Sequence, residues 1–287
     1  MAAMSAADRL SAAFADPSIV ELIINEDGAV YIERANAELE EAFKAQPSEI
    51  AALLKSLVGA ASFGAHRPFA DLTAPDGSRI HILAVPIVRD GLAVTIRKRP
   101  KQRPTLEHLA CGPTLTAACA GFLKYAVSQR KNILVVGGPS SGKTTMLNAL
   151  AALVDRGDRI LVIEDTPELQ LPQPHVVYMK TRIRDIQGLP DVTLRDLIIN
   201  TLRMRPDRII VGEVRGPEAL DMLQAMNVGQ EGVMATLHAN SCREALQRLE
   251  TLILMAGSDM PLKAVRGSVA QAVDVIVFMA RLADGSR

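Results

Sequence analysis

The stretch GGPSSGKT, Gly137 to Thr144, has the residue types and spacing of a loop that binds phosphate. It fits the P-loop pattern G-x-x-x-x-G-K-[ST]. In this pattern, backbone N–H groups and the following helix N-terminus surround phosphate oxygens. Lys143 is expected to reach the β- and γ-phosphates, and the Thr144 hydroxyl to bind Mg²⁺. The residues predicted to bind the nucleotide are Gly137, Gly138, Pro139, Ser140, Ser141, Gly142, Lys143, Thr144 and Thr145.

Three more polar groups follow apolar runs typical of strands. Glu164 and Asp165 follow RILVI, with Glu168 three residues later, and could polarise water or hold Mg²⁺ through water. Glu213 follows RIIV, without the aspartate that usually precedes it in a Walker B strand, and could orient the attacking water or hold a metal-bound water. His238 follows VMATL and could hydrogen-bond the γ-phosphate.

Each of these groups has an ordinary alternative, such as a helix cap, a solvated strand end or a satisfied polar side chain. Together with the P-loop, however, they predict one site, because ligands gather at the carboxyl ends of parallel strands. The chemistry predicted for that site is ATP hydrolysis.

The elements that must position the site alternate between apolar strands and amphipathic helices, from about residue 105 onward. This alternation predicts an α/β fold, a P-loop (RecA-like) domain with a mostly parallel sheet. The earlier residues have short strands and turns, including a hairpin at Asp27-Gly28, and predict a small α+β domain. The predicted boundaries are an N-terminal domain over 1–99, a linker over 100–106 and an ATPase domain over 107–287.

Composition excludes several classes of protein. The 287 residues contain 32 acidic and 32 basic residues and no tryptophan, which argues against nucleic acid as the main partner. The three cysteines form no C-x-x-C pair, so we expect reduced thiols in a cytosolic protein. No apolar run approaches the roughly 20 residues that a membrane helix needs.

The motifs GGPSSGKTT, ILVIEDTPELQ, RMRPDRIIVGEVRGPEALDMLQAMNVG and GVMATLHANS closely resemble those of the secretion ATPase superfamily. That superfamily serves type II secretion, type IV pili, and type IV secretion or conjugation. The second half is most similar to the CpaF/TadA ATPases of Tad pili. DPSIVELIINEDGAVYIER and TIRKR are also similar to the TrbB ATPases of conjugal transfer.

The resemblance implies roles for these residues. It places Glu164, Asp165 and Glu168 in an acidic "Asp box", Glu213 in an atypical Walker B motif and His238 in a "His box". The catalytic set it implies includes Lys143, and the Mg²⁺ set is Thr144, Glu213 and Asp165, some of them acting through water.

The resemblance also implies an assembly. Family members are homo-hexameric rings in which N-terminal arginines approach the phosphates of a neighbour, which here points to Arg79 and Arg97. Arg182 is a further candidate from the nucleotide domain. The implied partner is an inner-membrane platform protein of a pilus or secretion machine. The implied location is cytoplasmic, at the inner face of the bacterial inner membrane.

The leading hypothesis is therefore a hexameric motor that uses ATP and Mg²⁺ to power pilus assembly, pilus retraction or secretion. The alternative within the family is a conjugal-transfer ATPase. A nucleic-acid translocase is a second alternative, favoured by the basic linker KRPKQRPT. A small-molecule kinase is a third, but we find no clear lid sequence.

Overall fold

The structure is a computed structural model that describes residues 6–34, 38–59, 68–99, 104–182, 190–257 and 259–282. The chain divides into two compact units, Met1–Gln102 and Arg103–Arg287, and the division falls inside the predicted linker. Within the described ranges, no helix combines the length and the apolarity needed to cross a membrane.

The described strands of the first unit form an antiparallel sheet in the order β3-β2-β1-β6-β5-β4. The strands are β1 (Ile19–Ile24), β2 (Ala29–Arg34), β3 (Glu40–Lys44), β4 (Phe69–Thr73), β5 (Arg79–Ala84) and β6 (Leu92–Arg97), and the helices are α1 (Ala6–Ala15) and α2 (Pro47–Val58). The predicted hairpin is confirmed: β1 pairs with β2 around Gly28, whose φ of 82° suits glycine.

Alternating side chains build the core of the first unit. Leu22 and Ile24 of β1 and Val30 of β2 are fully buried, and they cluster with Leu10 of α1 and Leu54 of α2. The helix α2 begins where the sequence predicts, because Pro47 suits the first helical position and the Glu49 carboxylate accepts from the Gln46 N–H.

The described strands of the second unit form a parallel sheet in the order β12-β7-β11-β10-β8-β9. The strands are β7 (Ile133–Gly137), β8 (Ile160–Glu164), β9 (Val176–Lys180), β10 (Arg208–Val214), β11 (Met234–His238) and β12 (Val275–Met279). The four strands that carry the predicted site, β7, β11, β10 and β8, are neighbours in the centre. The edge strands β9 and β12 were not among the sequence predictions.

Helices cover both faces of this sheet, as predicted. One core contains side chains of α6 (Leu194–Thr201), α7 (Glu218–Asn227), α8 (Cys242–Met255) and α9 (Leu262–Ala272). The other contains side chains of α3 (Leu106–Cys111), α4 (Ala117–Ser128) and α5 (Lys143–Ala151). The α/β fold with a preceding α+β unit is thus confirmed, and it places all four predicted strand ends at one edge.

Candidate active site

The P-loop connects β7 to α5, as its sequence predicts, and close packing fixes its path. A Cβ on Gly137 would lie 2.3 Å from the Met279 carbonyl oxygen of β12, so only glycine fits there. Gly142, just before α5, has a φ of 95°, which also favours glycine. Within the loop, the Ser141 hydroxyl donates to the Gly138 carbonyl at 2.9 Å. The loop therefore delivers the chain to the N-terminus of α5, where backbone N–H groups are unpaired by the helix.

Lys143 is the first residue of α5, and its side chain lies over the P-loop. Its Nζ donates to the Gly138 carbonyl oxygen at 2.7 Å and lies 3.4 Å from His238 Nδ1. Burial lowers the pKa of the Lys143 ammonium, and the Glu213 carboxylate opposes that shift. The lysine thus contacts both the P-loop and His238, and it lies close enough to Glu213 for the charge of that carboxylate to act on it.

His238, at the end of β11, lies between a cation and an anion. Because an ammonium group can only donate, Nδ1 accepts from Lys143, and the proton of a neutral ring is then on Nε2. Nε2 donates to Glu213 Oε1 at 2.8 Å. Burial lowers the pKa of His238, the Lys143 charge lowers it further, and Glu213 opposes both. These effects favour the neutral ring that the two contacts require.

Arg215 extends this arrangement toward β8. Its Nη2 lies 3.3 Å from Glu213 Oε2 and 3.0 Å from Asp165 Oδ2. A continuous series of contacts between cationic, neutral and anionic side chains therefore runs across four neighbouring strand ends. We call this set of side chains the rim cluster; its members are Lys143, His238, Glu213, Arg215 and Asp165.

Glu164 differs from the other predicted acidic residues because it is almost completely buried, with 3% exposure. Its Oε1 accepts from the backbone N–H groups of Glu168 at 2.8 Å and Leu169 at 2.9 Å. The carboxylate therefore holds the loop that follows β8. Glu168 lies in that loop and is half-buried.

The arginines predicted from the first unit are cross-strand partners. Arg79 of β5 lies directly opposite Arg97 of β6 in the antiparallel register. Like charges in this arrangement destabilise a sheet unless an anion or a carboxylate compensates them. Arg97 is also paired in register with Glu21 of β1.

Arg182 takes part in an exposed contact beside the sheet. Its backbone bridges to Val192, and its guanidinium donates to the Pro190 carbonyl oxygen at 3.1 Å through Nη2. The described residues thus place Arg182 outside the rim cluster.

The donor chemistry at this edge suits Mg²⁺ bound together with phosphate. In the described part of the chain, no three His, Cys, Asp or Glu side chains group as a metal site. Thr144, in the first turn of α5, and the half-buried carboxylates of Glu213 and Asp165 supply hard oxygen atoms. Mg²⁺ prefers oxygen ligands and usually completes its shell with substrate phosphates and water. The residues present therefore fit the ion in that form.

Arg215 was missed as a site residue, although the sequence carried a signal for it. Arg215 directly follows the end of β10 and lies two residues after Glu213, at the edge of the sheet where ligands gather. The turn that holds Arg215 is fixed by Glu218, whose buried carboxylate accepts from the N–H groups of Arg215 and Gly216, both at 2.8 Å.

Comparison with known proteins identifies relatives along nearly the whole chain. Residues 6–285 match the family described as type II/IV secretion system protein. The conjugal transfer protein TrbB of Rhizobium radiobacter is 35% identical over 99% of this chain and 86% of its own length. The crystal structure of the VirB11 ATPase from the Brucella suis type IV secretion system, in complex with sulphate, is 31% identical, with a TM-score of 0.52 over 95% of this chain and 90% of that one.

The fold also matches the X-ray structure of the Yersinia pseudotuberculosis ATPase DotB. That match has a TM-score of 0.71 over 99% of this chain and 78% of the other, at 18% identity, and therefore supports the fold alone. The family match covers nearly all of this chain, and a relative above 30% identity spans most of both sequences. Together these findings confirm the resemblance: this chain belongs to the type II/IV secretion system protein family.

Proposed function

We propose that this chain is an ATP-hydrolysing motor of a conjugal-transfer or secretion machine, with the P-loop and the rim cluster as its active site. One observation carries the proposal: side chains from four adjacent strand ends form a connected cluster that includes the P-loop lysine. The names of the relatives supply the biological setting, since one is a conjugal transfer protein and another a type IV secretion ATPase.

The P-loop binds the phosphates of ATP. Backbone N–H groups of residues 137–145, apart from Pro139, surround the phosphate oxygens, and the N-terminus of α5 favours their negative charge. Lys143 exchanges its contact with the Gly138 carbonyl for the β- and γ-phosphates. The sulphate in the complex of the VirB11 relative is consistent with an anion site in this family.

Hydrolysis requires a water molecule placed in line with the bond that breaks. Glu213 orients this water and accepts its proton, while the water oxygen bonds to the γ-phosphorus and the bond to the ADP oxygen breaks. His238 and Arg215 hold one Glu213 oxygen each, so they set the direction of the carboxylate. Thr144, and through water Asp165 or Glu213, would hold Mg²⁺, which would neutralise charge on the phosphates. Glu168 is a second carboxylate that, like Glu213, we assign to orienting the water.

The ring assembly is part of the proposal. A homo-hexamer would let Arg79 and Arg97 of one subunit approach the phosphates bound by its neighbour, and their cross-strand pairing gives a concentrated positive charge for that role. Arg182 is a second source of such charge. Hydrolysis then drives an inner-membrane platform protein from the cytoplasmic side of the membrane.

ATP hydrolysis by the purified chain is the direct test. We expect Mg²⁺-dependent release of phosphate that Lys143→Ala abolishes, because the phosphates lose their cationic partner. His238→Ala should lower the rate as well, since Glu213 loses a donor. Lys263→Ala, at an exposed position of α9, is the matched control and should leave the rate unchanged. Unchanged hydrolysis in Lys143→Ala would contradict the assigned site.

Assembly is tested by light scattering with and without Mg²⁺ and a non-hydrolysable ATP analogue. We expect a hexamer in wild type, and ATPase loss with retained hexamers in Arg97→Ala. Arg243→Ala on α8 serves as the control for removing an exposed arginine. A monomer under both conditions would contradict the ring.

A pilus motor of the Tad type is the second candidate, favoured by the motifs around Glu213. Deleting the gene in its host and restoring it separates the two roles. Loss of plasmid transfer with normal pili supports conjugation, and loss of pili with normal transfer supports the pilus role. Binding of nucleic acid by a filter assay that weakens steeply with salt would instead favour a translocase.

A further inference from the structure

The loop between β8 and β9, residues 165–175, carries two predicted site residues, Asp165 and Glu168. We call it the strap. Besides its hydrogen bonds to Glu164, the strap is fastened to α5, the helix that begins with Lys143. The Asn148 side-chain oxygen accepts from the Gln170 N–H at 2.8 Å.

A second set of hydrogen bonds joins the strap to the C-terminal end of α5. The Gln173 side-chain nitrogen donates to the carbonyl oxygens of Ala151 at 3.0 Å, Ala152 at 3.2 Å and Val154 at 2.8 Å. Carbonyls at a helix C-terminus have no partner within the helix, so this amide completes the end of α5. The strap thus contacts α5 both in its middle and at its end.

Asn148 is an unusual residue for its position. It is 2% exposed on a helix whose residues Met146 to Ala151 are all buried, where an apolar side chain would pack at lower cost. A buried polar side chain is stable when it is hydrogen-bonded, and here the partner is the strap backbone. Packing alone therefore does not account for the asparagine.

We propose that Asn148 is a positioning residue that makes the strap and the P-loop helix a single body, so that Asp165 and Glu168 keep a fixed place relative to Lys143. This inference rests on the proposed ATPase function and extends it. Asn148 lies more than one helical turn after Lys143, away from the N-terminus that receives phosphate. Its loss should disturb the acidic residues while nucleotide binding is retained.

The test compares Asn148→Leu with Asn148→Asp. Leucine keeps the branched shape at a larger volume and removes the acceptor, whereas aspartate keeps an acceptor oxygen in the same place. Because small misplacements of reacting groups are costly, we expect Asn148→Leu to lower kcat by about tenfold, with KM changed less than about twofold. Asn148→Asp should restore most of kcat. Asn227→Leu is the matched control, since Asn227 donates to the Ser268 hydroxyl between α7 and α9, away from the strap.

Hydrogen exchange gives a readout that does not depend on activity. The amides of Glu168, Leu169 and Gln170 should exchange about tenfold faster in Asn148→Leu and at the wild-type rate in Asn227→Leu. If Asn148→Leu fails to fold, Asn148→Ser replaces it, because its shorter hydroxyl does not reach the Gln170 N–H. Unchanged exchange and unchanged kcat would overturn the positioning role. A wild-type chain that hydrolyses no ATP would contradict the proposed function instead. The exchange rates would still show whether Asn148 holds the strap against α5.

Discussion

The two ends of the parallel sheet both carry charged clusters, but they are built differently. At the amino end, the Asp158 carboxylate pairs with Arg130 at 2.7 Å and with Arg208 at 2.9 Å. Arg208 is 3% exposed and also donates to the Val127 carbonyl oxygen. At the carboxyl end, the members of the rim cluster other than the buried Lys143 reach solvent, and the Arg215 side chain is 57% exposed.

The difference in burial predicts that the two clusters affect different properties of the protein. A buried ion pair is expensive to break, because the remaining charge has no water to replace its partner. An exposed cluster exchanges partners at low cost and can accept a phosphate group. We therefore expect the amino end to set the free energy of unfolding and the carboxyl end to set the rate of hydrolysis.

The largest effect is expected at the carboxyl end. Glu213→Gln keeps the shape of the side chain but removes its charge and basicity, and ATP hydrolysis should fall by about 10²- to 10⁴-fold. The free energy of unfolding should change by less than about 1 kcal/mol, because the ion pairs of Glu213 are partly exposed. Steady-state phosphate release and urea unfolding measure the two quantities. Glu231→Gln, exposed before β11 at the other end of the sheet, should change neither.

The opposite result is expected at the amino end. Asp158→Ala leaves Arg208 buried without its carboxylate, so the free energy of unfolding should fall by about 3–5 kcal/mol. Hydrolysis per folded molecule should be retained. Asp155→Ala removes an exposed carboxylate that caps a nearby turn and should cost less than about 1 kcal/mol. An equal loss of unfolding free energy in Asp158→Ala and Asp155→Ala would contradict the special role of the buried ion pair.

Two glycines allow the same substitution to be made at each end. A Cβ on Gly232 would lie 2.0 Å from Arg208 Nη1, and its φ of 71° disfavours alanine, so Gly232→Ala should destabilise by about 1–3 kcal/mol. A Cβ on Gly212 would lie 2.9 Å from Glu164 Cγ, so Gly212→Ala should displace the carboxylate that holds the strap. We expect the second variant to lose activity rather than stability. Urea unfolding and ATPase assays on both variants measure the two losses, and an equal loss of stability in both would contradict the difference between the two ends.

The smallest effect concerns pH. The folded pKa of His238 is lowered from 6.5, so the unfolded chain binds a proton before the folded one does. The stability contributed by the neutral ring is therefore complete above about 6.5 and is lost as the pH falls below it. The charged groups facing the ring are Lys143, Glu213, Arg215 and Arg248.

His238→Gln removes this titration. The free energy of unfolding of wild type, relative to this variant, should be larger at pH 7.5 than at pH 5.5. The change should be small, because the side chain is 46% exposed and solvent screens it. An equal difference at both pH values would contradict the neutral ring.

The sequence predicted the parts of the fold that follow from strong periodic patterns. The central strands were identified because they are uninterrupted apolar runs, and parallel order then placed His238 and Glu213 together. The edge strand β9 was missed because its five residues are only partly buried, and α3 because six residues give too little pattern.

The details of the site were less accessible than its location. Glu164 was predicted as a catalytic carboxylate that polarises water or holds Mg²⁺ through water, and that role stays a prediction. Its contacts with backbone amides were not predicted, because such contacts leave no pattern in side-chain identity. For the same reason the tie from Asn148 to the strap was not predicted. The roles assigned to all the predicted site residues, those of Glu168, Arg79, Arg97 and Arg182 included, stay predictions until variants test them.

The close approach between Gly137 and β12 has a consequence for biosynthesis. The strand β7 is made early in the second unit, whereas both of its neighbours, β11 and β12, are made much later. The P-loop sequence therefore leaves the ribosome long before Met279, whose carbonyl oxygen packs against Gly137. The residues that β7 pairs with are also among the most distant from it in sequence. Such contacts form slowly and leave strand edges exposed meanwhile. We therefore expect nascent chains that lack β12 to depend on chaperones and to bind nucleotide poorly.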